Sequence, residues 1–193
     1  MSQPSDSDRG LIDRFLDGDQ AAFNDLMAAH EDRVFAVCLR MLRDREAALD
    51  ATQETFITVF RKVGSFAGKS AFSTWLYRVA VNTCYDSLRR QKRHRADPLP
   101  EHHDPPDRTS GDEIAAAELR PDIEPALMEV PIEFRSAIVL VDLEGLSLQD
   151  AAEALGVAVG TVKSRLFRGR RLLAESLGNL LPTRDTPIDE EHA

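Results

Sequence analysis

Apolar residues recur at intervals of three and four along most of this chain, and alternating runs of Val, Ile and Thr are absent. This spacing places apolar side chains on one face of an α-helix, whereas a half-buried strand requires every second residue to be apolar. Gly18, Gly64, Gly145 and Gly156 interrupt the pattern, and glycine commonly ends helices. The sequence therefore predicts an all-α fold.

A segment rich in proline and acidic residues divides the pattern into two parts. Half of the 10 prolines fall between residues 98 and 121, and residues 97–122 show almost no helical periodicity. Such a composition buries too little apolar surface to fold alone. We therefore predict two small helical domains, a first module over 8–96 and a second module over 123–181, joined by an acidic flexible linker over 97–122.

Helix boundaries follow from capping residues and from breaks in the periodicity. The first module is predicted to contain four helices: one over 11–16, one that is capped by Asp19 and includes Leu42, one over 45–63, and one from Ser70 or Ser73 to about Arg95. The second module is predicted to contain four more: one over 123–129, one from Pro131 to Gly145, a short one from Ser147 to Gly156, and one over 160–180.

Several features favour a cytosolic protein with no direct membrane insertion. No window approaches the roughly 20 consecutive apolar residues that span a bilayer, and the first ten residues lack the apolar run of a secretory signal. Cys38 and Cys84 are the only cysteines, and each lies in an apolar helical stretch, which favours buried free thiols. No His, Cys and carboxylate cluster has metal-binding spacing, so no metal or cofactor is expected.

Positive charge is concentrated in two short blocks of a chain whose net charge is −9. Residues 61–95 contain nine Lys and Arg against one acid, and residues 156–174 contain five and no acid. Because salt screens charges over about 10 Å, the local charge decides contact with a phosphate backbone. The pattern therefore predicts one nucleic-acid contact in each module.

The second basic block lies in a segment with helix-turn-helix spacing, residues 146–173. Ser147 and Asp150 are placed to cap its first helix, and Gly156 is suited to a left-handed turn. Its second helix places polar and basic donors around one aromatic ring: Lys163, Ser164, Phe167, Arg168 and Arg171. Such donors suit guanine edges and phosphates in the major groove, and the ring suits a thymine methyl group.

The first basic block lies on the fourth helix and carries aromatic residues. A helical projection places one outward stripe on this helix: Trp75, Arg78, Asn82, Tyr85, Arg89 and Arg93. Arginines that grip phosphates beside rings on which bases stack are typical of single-strand binding. The preceding loop, with Phe66 and Lys69, is suited to accept a base swung out of the duplex.

A different surface is expected on the third helix, where Asp50, Gln53 and Glu54 lie close together outside the basic block. The charge pattern alone fits a solvated polar face. It fits a protein-docking surface as well, and the two interpretations stay open on the residues alone.

Three segments in the order found here resemble one family. DATQETF (50–56), FAGKSAFSTWLYRVAVNTCYDSLRR (66–90) and GTVKSRLFRGRRLL (160–173) resemble the extracytoplasmic-function (ECF) sigma factors, the smallest members of the sigma-70 family of bacterial RNA polymerase initiation factors. The resemblance implies that the first module binds core RNA polymerase and recognises and melts the minus-ten element. It implies that the second module recognises the minus-thirty-five element, and that the linker follows the polymerase channel toward the RNA exit path.

The resemblance also implies roles for particular residues. The polymerase-binding residues are Asp50, Gln53 and Glu54. The minus-ten and melting residues are Phe66, Lys69, Trp75, Arg78, Asn82 and Arg89. The minus-thirty-five residues are Lys163, Ser164, Phe167, Arg168 and Arg171. Core polymerase and promoter DNA are then the partners, an anti-sigma factor is expected as inhibitor, and the chain is expected to be a monomer outside the holoenzyme.

Two other classes of protein are considered against this one. A stand-alone helix-turn-helix regulator would bind duplex DNA without polymerase, but it gives no reason for the stripe of Trp and Arg. A helical nucleic-acid enzyme would need catalytic acids or metal ligands near that stripe, and Asp86 is the only acid within 61–95. The sequence therefore favours a mechanical role in initiation without enzymatic activity.

Overall fold

The computed structural model describes residues 4–68, 70–96 and 123–180, and every regular element in those ranges is helical. The helices of these ranges are α1 (Pro4–Leu16), α2 (Gln20–Leu42), α3 (Arg45–Lys62), α4 (Phe72–Ala96), α5 (Ile123–Glu129), α6 (Ile132–Ile138), α7 (Leu148–Leu155) and α8 (Val159–Leu180). The all-α prediction is confirmed. Lys69 and the predicted linker lie outside the described residues.

Side-chain caps set the starts of α2 and α3, and the cap at Asp19 was predicted from the sequence. The Asp19 carboxylate accepts a hydrogen bond from the backbone N–H of Ala21 at 3.0 Å, and that of Asp44 accepts one from Ala47 at 2.7 Å. Each carboxylate therefore satisfies one of the N–H groups that a helix start leaves unpaired.

The predicted start of the first helix was wrong, and the end of α3 differs in its geometry. The first helix begins at Pro4 and not at residue 11, because its early turns are polar and gave no apolar period. Gly64 does not end α3 in a left-handed conformation. The chain continues instead into a 3₁₀ turn over Val63–Ser65, and the Ser65 hydroxyl donates to the Lys62 carbonyl at 2.6 Å.

One predicted boundary in the second module also differs. The expected helix from Pro131 to Gly145 is α6 followed by a π-helical turn over Val139–Leu143. Gly145 then adopts a φ of +72°, a left-handed conformation that glycine takes without strain. The prediction of a break at Gly145 is confirmed, although the last turn before it is wider than an α-helix.

The core of the first module lies between α2, α3 and α4. Its largest fully buried side chains in this region include Leu26, Met41, Val59 and Leu76. Full burial of such a side chain contributes about 1.5–3 kcal/mol. The predicted buried free thiols, Cys38 and Cys84, are confirmed in the same core.

The two modules contact each other, with α7 packed against α4. Glu144 of the second module accepts hydrogen bonds from Arg40 at 3.1 Å and from the Tyr77 hydroxyl at 2.9 Å. Its side chain is only 9% exposed. Burial, and then the negative charge of Glu144, raise the pKa of Tyr77 well above its usual value.

A buried guanidinium crosses the same boundary between the modules. Arg135 of α6 is 6% exposed and donates to the Met41 carbonyl of the first module at 2.8 Å. It also donates to the carbonyls of Met128 and Val130 within its own module. Burial, aided by the nearby Arg43, lowers the pKa of Arg135 to about 10. Arg135 thus stays charged at neutral pH and ties backbone of both modules together.

Gly169 marks a close approach of α8 to α6. A Cβ atom at this position would lie 2.9 Å from Ile138 Cδ1 and 3.2 Å from Phe134 Cβ. We expect Gly169→Ala to lower the free energy of unfolding by about 1–3 kcal/mol, the usual cost of overpacking. The measurement is urea unfolding followed by circular dichroism.

The matched control is Gly178→Ala in the same helix, where an added Cβ would meet nothing within 4 Å. This change is expected to stabilise the protein by up to about 1 kcal/mol, because alanine favours a helix over glycine. If Gly169→Ala were equally stabilising, the tight packing of α6 on α8 would be contradicted.

Candidate nucleic-acid interface

The predicted helix-turn-helix is formed by α7, a short turn and α8. The Ser147 hydroxyl accepts a hydrogen bond from the Asp150 N–H at 3.1 Å and donates to the Asp150 carboxylate at 2.5 Å. Gly156 ends α7 with a φ of +65°, and its N–H donates to the carbonyls of Ala152 and Glu153. Val162 is fully buried and fixes α8 against the rest of the module.

The outer side of α8 carries the residues that the sequence predicted to read DNA. Phe167 is 71% exposed, and Lys163, Ser164 and Arg168 are exposed around it. Among the large apolar side chains that the structure describes, Phe167 is the most exposed. The arrangement places hydrogen-bond donors and one planar apolar group on a single helical face, as a major-groove contact requires.

The cations of α8 differ in how free they are to bind a phosphate or a base. Arg170 donates two hydrogen bonds to the Asp142 carboxylate, at 2.9 and 2.5 Å, which raises its pKa. Arg171, predicted to contact DNA, has Nε 3.4 Å from a Glu175 carboxylate oxygen. Within the part of the chain that the structure describes, Lys163 and Arg168 form no ion pair, so neither charge is neutralised by a carboxylate there.

Three aromatic rings meet where the loop after α3 enters α4. The ring centroids of Phe66 and Trp75 are 5.6 Å apart, those of Phe66 and Phe72 are 5.7 Å apart, and those of Phe72 and Trp75 are 5.8 Å apart. Phe72 is buried, whereas Phe66 and Trp75 are half-buried. The indole of Trp75 is therefore held by two rings and keeps part of its surface accessible for stacking.

The rest of the predicted stripe on α4 is only partly as expected. Arg78, Asn82 and Arg89 are exposed, and Arg89 lies 3.2 Å from the Asp86 carboxylate. Tyr85 was wrongly expected to face outward. It is half-buried, and its hydroxyl lies 3.0 Å from the Ser136 hydroxyl of α6, because the second module packs beside it.

Comparison with known proteins gives independent information on both modules. The family model described as Sigma-70 region 2 matches residues 26–94, and the one described as Sigma-70, region 4 matches residues 122–173. The ECF RNA polymerase sigma factor SigM of Mycobacterium tuberculosis is 41% identical over 174 residues, which cover 90% of this chain and 86% of that protein. This chain is an ECF sigma factor of the sigma-70 family. The ECF RNA polymerase sigma-E factor of Haemophilus influenzae is 36% identical, over 91% of this chain and 97% of that protein.

Solved structures show the same architecture as this sigma factor. The sigma factor RpoE of Bartonella quintana, solved in complex with the anti-sigma factor NepR, superposes with a TM-score of 0.64 at 26% identity, over 81% of this chain and 96% of that one. CnrH, solved in complex with the cytosolic domain of CnrY, has a TM-score of 0.65 at 24% identity, over 90% of this chain and 98% of that one.

Every predicted site residue of the sigma factor falls inside one of the two matched regions, including Lys69, which the structure does not describe. Asp50, Gln53 and Glu54 are exposed on α3, as expected for a surface that another protein can reach. Glu54 accepts a hydrogen bond from Arg90 at 2.7 Å, so the two helices α3 and α4 are joined beside this trio.

Sequence reasoning missed an apolar part of the same surface. Ile57 is 50% exposed, Phe60 is 47% exposed and Leu49 is 43% exposed. These three residues and Gln53 recur at intervals of three and four along α3, so they share one face. Their spacing was the only sequence signal for this exposed face, but apolar residues that face the core have the same spacing, so the two cases could not be told apart.

Two further findings concern the residues of the sigma factor that the structure describes. No helix among them is long and apolar enough to cross a membrane. No group of three or more His, Cys, Asp or Glu side chains among them is placed to hold a metal ion.

Proposed function

We propose that this sigma factor docks on core RNA polymerase through the exposed face of α3, reads the minus-thirty-five element with α8, and holds the melted minus-ten strand against the start of α4. The observation that carries the proposal is the half-exposed Trp75, fixed by Phe66 and Phe72 beside exposed Arg78 and Asn82. An aromatic ring held in place beside polar and cationic groups is typical of a site where an unpaired base stacks.

Recognition of the upstream element follows from the face of α8. Phe167 and Arg168 are exposed near its middle, with Lys163 and Ser164 one turn earlier. In the major groove, arginine donates to the O6 and N7 atoms of guanine, and an apolar ring contacts the thymine methyl group. Arg171 contributes to the same positive surface, although Glu175 competes for its charge.

Melting is proposed to work by capture. Extruding a base from the stack costs a few kcal/mol, and stacking on an aromatic side chain returns about 1–3 kcal/mol per base. The free energy gained by stacking nearly offsets the cost of extruding the base. Trp75 and Phe66 therefore stabilise melted DNA in this proposal, but they do not melt the duplex by themselves. Arg78, Asn82 and Arg89 line the same side of α4 and would hold the backbone of the captured strand.

Docking on polymerase is assigned to the trio of Asp50, Gln53 and Glu54. The trio lies beside the exposed apolar residues of α3, such as Ile57. A surface with an apolar centre and a polar rim is typical of protein interfaces. The flanking acids then provide charge complementarity, which sets orientation and speeds association.

We further propose that an anti-sigma factor controls this protein. We also propose that the protein acts mechanically and not as an enzyme. Support for control by an anti-sigma factor comes from the solved neighbours, since the RpoE structure contains an anti-sigma factor.

The division into modules at 8–96 and 123–181, with a flexible linker at 97–122, also stays a prediction. The separate family matches at 26–94 and 122–173 support it.

The deciding experiment is in-vitro transcription with purified bacterial core RNA polymerase, mapping start sites with and without the chain. New start sites that depend on the chain, together with its co-purification with core polymerase, are expected. A stand-alone helix-turn-helix regulator would instead bind duplex DNA tightly without polymerase and create no start sites. Failure both to associate with core polymerase and to redirect initiation would refute the proposal.

A further inference from the structure

We propose that Arg9 of α1 is an additional DNA contact, whose guanidinium binds the strand's phosphate next to the captured base. This inference rests on the proposed base capture at Phe66 and Trp75. Arg9 lies outside the region matched by the family model, which begins at residue 26. It also lies outside both basic blocks of the sequence, so neither charge nor family pointed to it.

The position of the guanidinium is the first observation. A Cβ atom placed on Gly68, in the loop after α3, would lie 3.6 Å from Arg9 Nη1 and 4.0 Å from its Cζ. Gly68 itself has a φ of +65° and no side chain. The cation of Arg9 therefore lies directly over the loop backbone, two residues from Phe66.

The second observation is that α1 is fixed to the aromatic cluster through a buried polar contact. Asp8 Oδ1 lies 3.0 Å from His30 Nε2, and the two residues are only 6% and 7% exposed. The His30 ring packs against the Phe72 ring, with centroids 5.4 Å apart. Since Phe72 also packs against Trp75, the residue next to Arg9 is linked through side-chain contacts to the proposed stacking ring.

The third observation is that Arg9 is available for a ligand. It is exposed, and it makes no ion pair or side-chain hydrogen bond with any residue that the structure describes. Arg14 on the same helix differs, because it donates to the Asp19 carboxylate at 3.0 and 2.6 Å. One arginine of α1 is thus bound internally, and the other lies over the loop without a partner among the described side chains.

The chemistry favours a phosphate as the ligand. Guanidinium groups bind phosphate through paired, charge-assisted hydrogen bonds. A base stacked on Phe66 and Trp75 would leave its phosphate on the solvent side of the rings, and the exposed Arg9 guanidinium lies beside Gly68 of the same loop. Contacts to phosphate fix position and carry no sequence information directly. Arg9 is therefore expected to strengthen strand capture at every promoter alike.

The test measures binding of a fluorescently labelled single strand to the holoenzyme at several salt concentrations. The strand carries the non-template minus-ten region of a promoter mapped by the transcription assay. Each phosphate contact on single-stranded DNA contributes about 0.7 to the slope of log affinity against log salt. Arg9→Ala is expected to reduce the slope by about this amount and the affinity by about tenfold. Arg9→Lys should keep most of the slope, because the positive charge remains.

Arg14→Ala is the matched control, since it removes an arginine from the same helix without touching the loop. It is expected to change neither the slope nor the affinity. If Arg9→Ala leaves the slope unchanged while Trp75→Ala still weakens strand binding, the Arg9 contact is refuted and base capture stands. If Trp75→Ala has no effect on strand binding either, base capture itself is refuted.

Discussion

Replacing Arg168 by alanine is expected to lower transcription from a promoter with a minus-thirty-five element by about 5- to 150-fold. One good contact between an arginine and a base contributes about 1–3 kcal/mol of discrimination. Arg168 is exposed on α8 and forms no ion pair with any residue that the structure describes, so the change removes little besides the proposed DNA contact. Run-off transcription measures the loss, and co-purification with core polymerase should be unchanged.

Arg170→Ala provides the matched control for this experiment. Arg170 lies two residues from Arg168 on the same helix, but both of its hydrogen bonds go to Asp142. Its loss should therefore reduce transcription much less. Equal losses in the two variants, or a loss of polymerase binding in Arg168→Ala, would contradict the assignment of α8 to the upstream element.

Replacing Trp75 by alanine is expected to slow promoter opening on duplex templates by about 5- to 150-fold, with a much smaller loss on templates that are already melted. The reason is that stacking of one base on an aromatic ring contributes about 1–3 kcal/mol to the opened state. A template melted in advance needs less of that contribution. Permanganate reactivity of unpaired thymines measures opening on the duplex, and transcript yield measures initiation on both templates.

A second variant, Trp75→Phe, separates stacking from folding. Trp75 packs against Phe66 and Phe72, so Trp75→Ala also removes contacts that stabilise the first module. A phenyl ring retains a stacking surface and most of these contacts, and it should restore most of the opening activity. Equal loss on duplex and melted templates in Trp75→Ala would argue against a role in melting.

Features that depend on neighbouring residues could be predicted from the sequence. Asp19 and Ser147 cap helices as expected, because a short polar side chain just before a helix accepts a hydrogen bond from one of its first unpaired N–H groups. Gly156 takes the left-handed turn between α7 and α8. The exposed face around Phe167 could also be predicted, because the spacing of apolar and polar residues within α8 alone separates its buried side from its exposed side.

Features that depend on distant packing could not be predicted. Tyr85 lies on the expected face of α4, yet the second module covers it through Ser136, which is 51 residues away. Phe60 has the spacing of a core residue and is half exposed, because nothing in a helical period says which of two apolar faces is covered. Arg9 approaches Gly68 only in the folded chain, and no local pattern predicts that approach.

The contact that Glu144 makes with Arg40 and Tyr77 has a consequence for how tightly any partner is held. A partner that needs the modules apart can bind only the molecules in which this contact is broken. Its apparent dissociation constant is then the intrinsic value divided by the fraction of molecules in that state. A change at Glu144 would therefore tune the apparent affinity of such a partner even where the partner makes no contact with Glu144.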